Sequence, residues 1–121
     1  MLKACLFIFI LFPLIGIAQH PYFQNLVNSD GLESNNVYCC FQDNEGYMWF
    51  GTDLGVSRFN GYEFENFDSE DGLTGNEIFG IYQDQKERIW FRSFNGEFSY
   101  YLKDKFYNSQ NDSTLAKLKS D

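Results

Sequence analysis

The chain has little from which to build a catalytic or metal centre. Its 121 residues contain one histidine, His20, and three cysteines, Cys5, Cys39 and Cys40. No Cys/His cluster has zinc-ligand spacing, and neither a glycine-rich phosphate loop nor a Gly-x-Ser-x-Gly elbow occurs. Carboxylates are plentiful, so a glycosidase-like pair stays open, but nothing in the sequence singles out two of them. We therefore expect no catalytic residue, no metal site and no cofactor.

Positive charge is also scarce. Nine Lys and Arg residues stand against 17 Asp and Glu residues, which gives a net charge of −8. An acidic chain is poorly suited to binding nucleic acid or anionic lipid, and we interpret the acidity as a solvated surface. The acidic group Asp68, Glu70 and Asp71 lacks the glycine spacing of a helix-loop-helix calcium loop.

Only one long apolar run is present, from Ala4 to Ile17. It is shorter than the ~20 residues that a membrane-spanning helix needs, although a membrane anchor is the alternative interpretation. Together with Lys3 and the small residues before Ala18, it predicts a secretory signal over residues 1–18, cleaved between Ala18 and Gln19. The protein is therefore expected to be exported, either to the periplasm or outside the cell.

The two cysteines that follow the leader are neighbours in the sequence. Side chains of adjacent strand residues point to opposite faces, so Cys39 and Cys40 are poorly placed to bond to each other. We expect no disulfide, and one of the two to pack as a small core residue.

What the sequence does contain is a series of short aromatic and β-branched runs. Asp-plus-Gly clusters and an Asn-Gly pair separate them, which is the pattern of consecutive hairpins. The predicted strands of this antiparallel meander are Val37–Gln42, Tyr47–Thr52, Val56–Phe59 and Tyr62–Phe67.

The meander has a second copy about 41 residues later. Asp30-Gly31-Leu32 recurs as Asp71-Gly72-Leu73, and one extra residue near Glu97 then moves the offset to 42. Other pairs at these offsets are Asn35/Asn76, Asp43/Asp84, Trp49/Trp90, Phe50/Phe91 and Gly55/Gly96. A period of ~40–45 residues with four strands and a recurring Trp is typical of propeller blades.

The predicted fold is all-β, with about two tandem four-stranded antiparallel blades of an incomplete propeller. The repeat unit begins with the last strand of a preceding copy, here Tyr22–Val27. The repeats therefore occupy residues 19–106, with blades at about 23–63 and 64–106. Residues 107–121 form a polar tail or begin a further repeat.

The repeated residues are expected to build the blades. Leu32 and Leu73 fill the gap between blades, Asn35 and Asn76 bond backbone groups, and one ring of each Trp-Phe pair is buried. Asp43 and Asp84 accept backbone N–H bonds in turns. The functional alternatives are loops that bind a ligand and an exposed Trp that stacks on a sugar.

These residues resemble the two-component regulator propeller repeat. The resemblance runs from Tyr22 to about Phe106, and Glu87, Arg92 and Leu102 depart from it in the second copy. Its motif residues in the first copy are Asp30, Gly31, Leu32, Asn35, Asp43, Gly46, Trp49, Phe50, Gly51, Thr52 and Gly55; in the second they are Asp71, Gly72, Leu73, Asn76, Asp84, Trp90, Phe91 and Gly96.

The resemblance implies the periplasmic sensor region of a histidine kinase or hybrid two-component system in Bacteroidetes-type bacteria. Such sensors continue into more blades, a further β-domain, a membrane helix and a kinase, and they often sense glycans. We expect an N-terminal fragment of such a sensor, without catalysis of its own. Its partners would be further blades in the same or another chain, the downstream kinase, and a glycan or other small ligand.

Two alternatives stay open. Repeat arrays usually need about three units, so a stand-alone secreted protein would have to oligomerise. Asp43-x-x-Gly46-x-x-Trp49 also has a faint likeness to the turn of sialidase-type propellers, but their arginine cluster has no counterpart here.

Overall fold

A computed structural model describes residues 25–120 of the chain. The predicted leader over residues 1–18, its cleavage site between Ala18 and Gln19, and His20 lie outside the described residues. So does the first half of the predicted strand Tyr22–Val27. Its described part forms no strand, because Val27 instead opens a turn: its N–H donates to the Asp30 carboxylate, and a 3-10 helix spans Asn28–Asp30.

The described chain is all-β apart from this turn and one C-terminal helix, which confirms the predicted fold class. Each of two antiparallel sheets has four strands in sequence order. The first contains β1 (Val37–Gln42), β2 (Met48–Thr52), β3 (Val56–Phe59) and β4 (Phe64–Phe67). The second contains β5 (Ile78–Gln83), β6 (Ile89–Ser93), β7 (Phe98–Leu102) and β8 (Lys105–Tyr107). We call these sheets blade 1 and blade 2.

The sheets do not follow the repeat boundaries of 23–63 and 64–106. Strand β4 pairs with β3 through Phe59 and Phe64, so it closes blade 1 and does not open blade 2. The reason is the two-residue turn Gly61-Tyr62, which forces the following strand to pair with the preceding one.

The first strand of each blade, β1 and β5, carries a bulge at the same point. The register slips between Val37 and Cys39 in β1, and between Ile78 and Gly80 in β5. Tyr38 and Phe79 are the extra residues. A bulge re-aims its extra side chain, so these two rings leave the alternation of their strands.

The core lies between the two blades. Trp49 and Val56 of blade 1 and Ile78 and Phe91 of blade 2 are fully buried there. The Trp49 ring centroid lies 5.4 Å from that of Phe91. Blade 1 therefore buries its Trp and blade 2 its Phe, because the two residues project from opposite faces of each sheet.

Two turns of blade 2, the first and the last, are made without the glycines of blade 1. Glu87 takes the place of Gly46 with φ +64°, and its N–H donates to the Asp84 carbonyl at 3.1 Å. Lys103 and Asp104 both have positive φ in the last hairpin. The extra residue expected near Glu97 lengthens the β6–β7 turn, where Ser93 bonds to Glu97.

The C-terminal residues form a turn and a helix that the sequence did not predict. Asn108 to Asn111 repeats the turn of Asp68 to Asp71, and α1 (Ser113–Ser120) follows. The Asp112 carboxylate caps α1 by accepting N–H bonds from Thr114 and Leu115 at 2.8 and 3.1 Å. Among residues 25–120, no helix has the length and apolarity that crossing a membrane requires.

Candidate functional site

Each blade holds its first hairpin with one carboxylate. In blade 1, Asp43 accepts the backbone N–H of Glu45 and Tyr47 at 2.9 and 3.0 Å and the indole N–H of Trp49 at 2.8 Å. Asp84 makes the corresponding three bonds to Lys86, Arg88 and Trp90. The indole bond was not anticipated, although an Asp six residues before a Trp in both copies is a readable signal.

A guanidinium lies over the Trp of each blade, but it comes from different strands. Arg58 on β3 lies 5.3 Å from the Trp49 ring centroid and 4.8 Å from that of Tyr47. In blade 2 the two residues are exchanged: Arg88 stands at the place of Tyr47 and Tyr100 at that of Arg58, and Arg88 lies 5.0 Å from the Trp90 ring. Because either order gives the same stack, the pair was invisible to a residue-by-residue comparison.

Arg58 also ties the blades together. One of its nitrogens donates to the Tyr101 hydroxyl of blade 2 at 3.0 Å, and another pairs with Glu65. Tyr101 in turn donates to Asp104 at 2.6 Å. Burial, together with this bond to Asp104, raises the pKa of Tyr101 to about 12, so its hydroxyl stays protonated.

Arg58, Tyr101 and Asp104 line a cleft of about 340 Å³ between the blades, at the end where the first hairpins turn. Its walls carry more acidic than basic side chains. The acids are Asp43, Glu45, Glu87 and Asp104, and the bases are Arg58 and Lys103. Three of the six, Asp43, Arg58 and Asp104, already have hydrogen-bond partners in the protein.

In blade 2 Arg88 bonds directly to the turn carboxylate Asp84, whereas in blade 1 Arg58 bonds to other groups. The Arg88 Nε donates to Asp84 at 2.6 Å. Burial raises the pKa of Asp84, but the bonds from Trp90 and Arg88 outweigh it and lower that pKa to about 2. Asp84 is therefore ionised at neutral pH and suited to holding the turn, not to proton transfer.

The Asp-Gly-Leu loops lie across the sheet that follows them. Leu32 and Leu73 are buried, and the Gly31 and Gly72 carbonyls accept bonds from Asn66 and Asn108 at 2.9 and 3.0 Å. Asn35 and Asn76 accept the N–H of Asn28 and Ser69, the first residues of their loops, at 2.7 and 3.0 Å. These side chains thus serve the backbone of the loops, away from the cleft.

Exposed aromatic rings gather at the opposite end of the sheets. The two bulge residues, Tyr38 and Phe79, stack at 4.4 Å with a 15° angle between their planes. Phe94, which is 75% exposed in the β6–β7 turn, lies 5.7 Å from Phe79. We call Tyr38, Phe79 and Phe94 the aromatic trio. Flat, exposed rings of this kind offer a stacking surface to a ligand.

Comparison with known protein families decides the identity of the repeats. The sequence model described as two component regulator propeller matches residues 31–54 and again residues 72–95. The chain contains two repeats of the two-component regulator propeller family. Each match begins at the glycine of the Asp-Gly-Leu loop and covers the first two strands of one blade, the part that holds the Asp–Trp bond.

A solved structure has the same architecture. It is the extracellular domain of a hybrid two-component system from B. thetaiotaomicron, at 29% identity and a TM-score of 0.61. The match covers 72% of this chain and 13% of that one, so the present chain spans a small part of its neighbour. A search of curated proteins gave no match.

No group of three or more His, Cys, Asp or Glu side chains in this part of the chain, residues 25–120, could hold a metal ion. Cys39 and Cys40 are free thiols; Cys39 is half-buried against the Ile78 carbonyl, and burial raises its pKa. The arrangement is suited to packing and to surface recognition.

Proposed function

We propose that the chain is the N-terminal part of an exported sensor propeller of a two-component histidine kinase. It binds an extracellular ligand and has no catalysis of its own. The observation that carries the proposal is the pair of two-component regulator propeller repeats, together with the likeness to a hybrid two-component extracellular domain. The predicted leader over residues 1–18 supports export to the periplasm.

The aromatic trio is the surface that we assign to the ligand. Its residues are exposed although they are large and apolar, and Phe94 has no aromatic equivalent in blade 1, where Asp53 stands. Exposed apolar patches on soluble proteins often mark interaction sites. Rings that merely built the blade would be buried, as Trp49 and Phe91 are.

The cleft between the blades is the weaker candidate. Several of its polar groups are already engaged: Asp43 holds a turn, Arg58 bonds to Tyr101 and Glu65, and Tyr101 bonds to Asp104. A ligand there would have to break bonds that hold the two blades together.

The sensing role is tested with a thermal-shift panel of soluble oligosaccharides, amino acids and small organic acids. A compound that raises the melting temperature of the chain is then tested on Tyr38→Ala and Phe79→Ala. We expect both variants to lose the shift, and Tyr62→Ala, which removes an exposed ring far from the trio, to keep it. If both trio variants keep the shift, the ligand binds elsewhere on the chain. In-frame sequence downstream that lacks a membrane helix and kinase would refute the two-component assignment.

A further inference from the structure

Two Asn-Gly pairs stand at exposed turns of the chain. Asn60-Gly61 lies between β3 and β4, Asn95-Gly96 lies between β6 and β7, and each pair follows a phenylalanine. Both asparagines and both glycines are exposed. The peptide nitrogen after an asparagine can attack the side-chain amide carbon, and glycine hinders this attack least because it has no Cβ. Both pairs are therefore candidates for the loss of the side-chain amide as ammonia.

The space around the two glycines is alike. A Cβ added to Gly61 or to Gly96 would have no heavy atom within 4 Å apart from those of its chain neighbours. Both glycines also have positive φ, +101° and +81°. Because the two turns are equally open, a difference in reactivity has to come from the hydrogen bonds of the asparagine side chains.

The Asn60 side chain is held through its oxygen. Oδ1 accepts the backbone N–H of Tyr62 at 2.9 Å and that of Glu63 at 2.8 Å. Its Nδ2 has no hydrogen-bond partner among the described residues. Attack on the side-chain carbon moves negative charge onto Oδ1, so two N–H groups aimed at this atom stabilise the charge as it develops. The nitrogen that must leave is unrestrained.

The Asn95 side chain is held through its nitrogen as well. Its Oδ1 accepts one N–H, that of Glu97 at 2.9 Å, and its Nδ2 donates to the Thr74 carbonyl at 3.2 Å. Thr74 directly follows Leu73, so this bond ties the turn to the Asp-Gly-Leu loop of blade 2. The leaving nitrogen is therefore held, and the oxygen has one donor fewer than in Asn60. Both differences slow the loss of ammonia from Asn95.

We propose that Asn60 is a site of spontaneous deamidation and that its bond to Thr74 protects Asn95 from the same reaction. The Gly61 nitrogen bonds to Cγ of Asn60, the Cγ–Nδ2 bond breaks, and Nδ2 leaves as ammonia with the proton of the Gly61 amide. One water then opens the cyclic imide. Cleavage of the bond from nitrogen to Cγ leaves aspartate, and cleavage of the bond to the main-chain carbonyl carbon leaves isoaspartate, whose backbone is longer by one methylene group. This inference does not depend on the ligand, on the kinase or on further blades.

The isoaspartate form weakens the outer edge of blade 1. The turn Gly61-Tyr62 is closed by the bond from the Asn60 N–H to the Glu63 carbonyl at 3.2 Å. An extra backbone methylene in so short a turn disturbs the pairing of β4 with β3. Strand β4 carries Phe67, which packs against the core between the blades. Deamidation at Asn60 therefore lowers the stability of blade 1.

The test follows both asparagines while the purified full chain is incubated in mildly alkaline buffer. Peptide mapping by mass spectrometry measures the loss of amide at each position, and electron-transfer fragmentation separates aspartate from isoaspartate. We expect Asn60 to react at least about fivefold faster than Asn95, since one net hydrogen bond changes an equilibrium or a rate by up to about tenfold. In urea, where the two Phe-Asn-Gly segments have lost their hydrogen bonds, the two rates should be similar.

Two results would overturn the assignment of the site. One is a folded chain in which Asn95 reacts as fast as Asn60 or faster. The other is an Asn60 that stays intact in the folded chain although it reacts in urea.

Asn60→Asp separates the added charge from the added methylene. Its carboxylate still accepts the N–H groups of Tyr62 and Glu63, so this variant should unfold at nearly the same urea concentration as wild type. The isoaspartate form, purified from aged wild type, should unfold at a lower urea concentration. An isoaspartate form as stable as Asn60→Asp would overturn the predicted effect on β4, and an Asn60→Asp variant as unstable as the isoaspartate form would assign that effect to the charge.

Discussion

Gly51 offers the sharpest test of how the blades pack. An added Cβ at this position would lie 2.5 Å from the Cys39 sulfur and 2.6 Å from the Ile78 carbonyl oxygen. The sulfur can rotate away, but the carbonyl belongs to the β5 backbone and can move only if blade 2 moves. Gly51→Ala must therefore push the blades apart, and overpacking of this kind costs about 1–3 kcal/mol.

Gly80 provides the matched control. It is also a strand glycine without positive φ, but a Cβ there would meet only Arg92 at 3.5 Å, an ordinary contact. Because alanine restricts the unfolded chain, Gly80→Ala should be neutral or stabilise by up to about 1 kcal/mol. The two alanine variants should therefore differ by roughly 1–4 kcal/mol in the free energy of unfolding.

Urea unfolding followed by tryptophan fluorescence measures this difference, since Trp49 lies in the interface itself. Cys39→Ala combined with Gly51→Ala should recover only a small part of the loss, because the clash with the Ile78 carbonyl remains. Equal stability of Gly51→Ala and Gly80→Ala would refute the close approach, and full rescue by Cys39→Ala would assign it to the sulfur.

Three further changes test the local chemistry of blade 2 and the helix. Glu87→Gly should raise the free energy of unfolding by about 1 kcal/mol in urea titrations, because a left-handed residue other than glycine is strained; Lys86→Gly, in the same turn, should not. The folded pKa of Asp84, about 2, lies below its ordinary value of 3.8, so the stabilisation that its carboxylate gives is complete above pH 4 and is lost as the pH falls towards 2. Asp84→Asn should flatten the curve of unfolding free energy against pH in that window. A slope equal to that of wild type would contradict the bonds from Trp90 and Arg88 to Asp84. Burial and the bond to Asp112 raise the pKa of Tyr100 to about 12, so Asp112→Ala should lower this pKa in an ultraviolet titration. The same variant should reduce the helicity of α1, because its cap is worth about 1 kcal/mol. An unchanged pKa and an unchanged helicity would show that Asp112 neither bonds to Tyr100 nor caps α1.

The sequence predicted most of the features that lie within one blade, and it missed the features that depend on contact with another blade. Turn chemistry located the four strands of blade 1 within one or two residues, since Asp-plus-Gly clusters and an Asn-Gly pair constrain the local backbone. The described part of the predicted strand Tyr22–Val27 is not a strand. Periodicity could not tell whether Trp49 or Phe50 is buried, because that depends on which face another blade covers. Helix α1 was missed because five of its eight residues are polar and its cap, Asp112, stands where the repeat has glycine.

The same distinction between local and non-local features holds for the candidate site. The bond from the Trp49 indole to the Asp43 carboxylate is local and repeats at the same spacing, so one sequence contains enough information to find it. Tyr47 and Arg58 of blade 1 are exchanged for Arg88 and Tyr100 in blade 2. This exchange could not be found in this way, because both blades keep the stacked pair while the residue at each position differs. The aromatic trio depends on two bulges, and a bulge leaves no mark in a pattern of apolar residues.

Comparing the two blades separates residues that build the fold from residues free to recognise a partner. Asp43, Trp49 and their equivalents keep their identity because each blade must close its own hairpin. Phe94 stands where blade 1 has Asp53, and Arg92 stands where blade 1 has Gly51. In blade 2 both residues are exposed. Specificity for a ligand or a neighbouring blade should therefore be altered first by substitutions at Phe94 and Arg92, with the repeated Asp, Trp and Leu residues left intact.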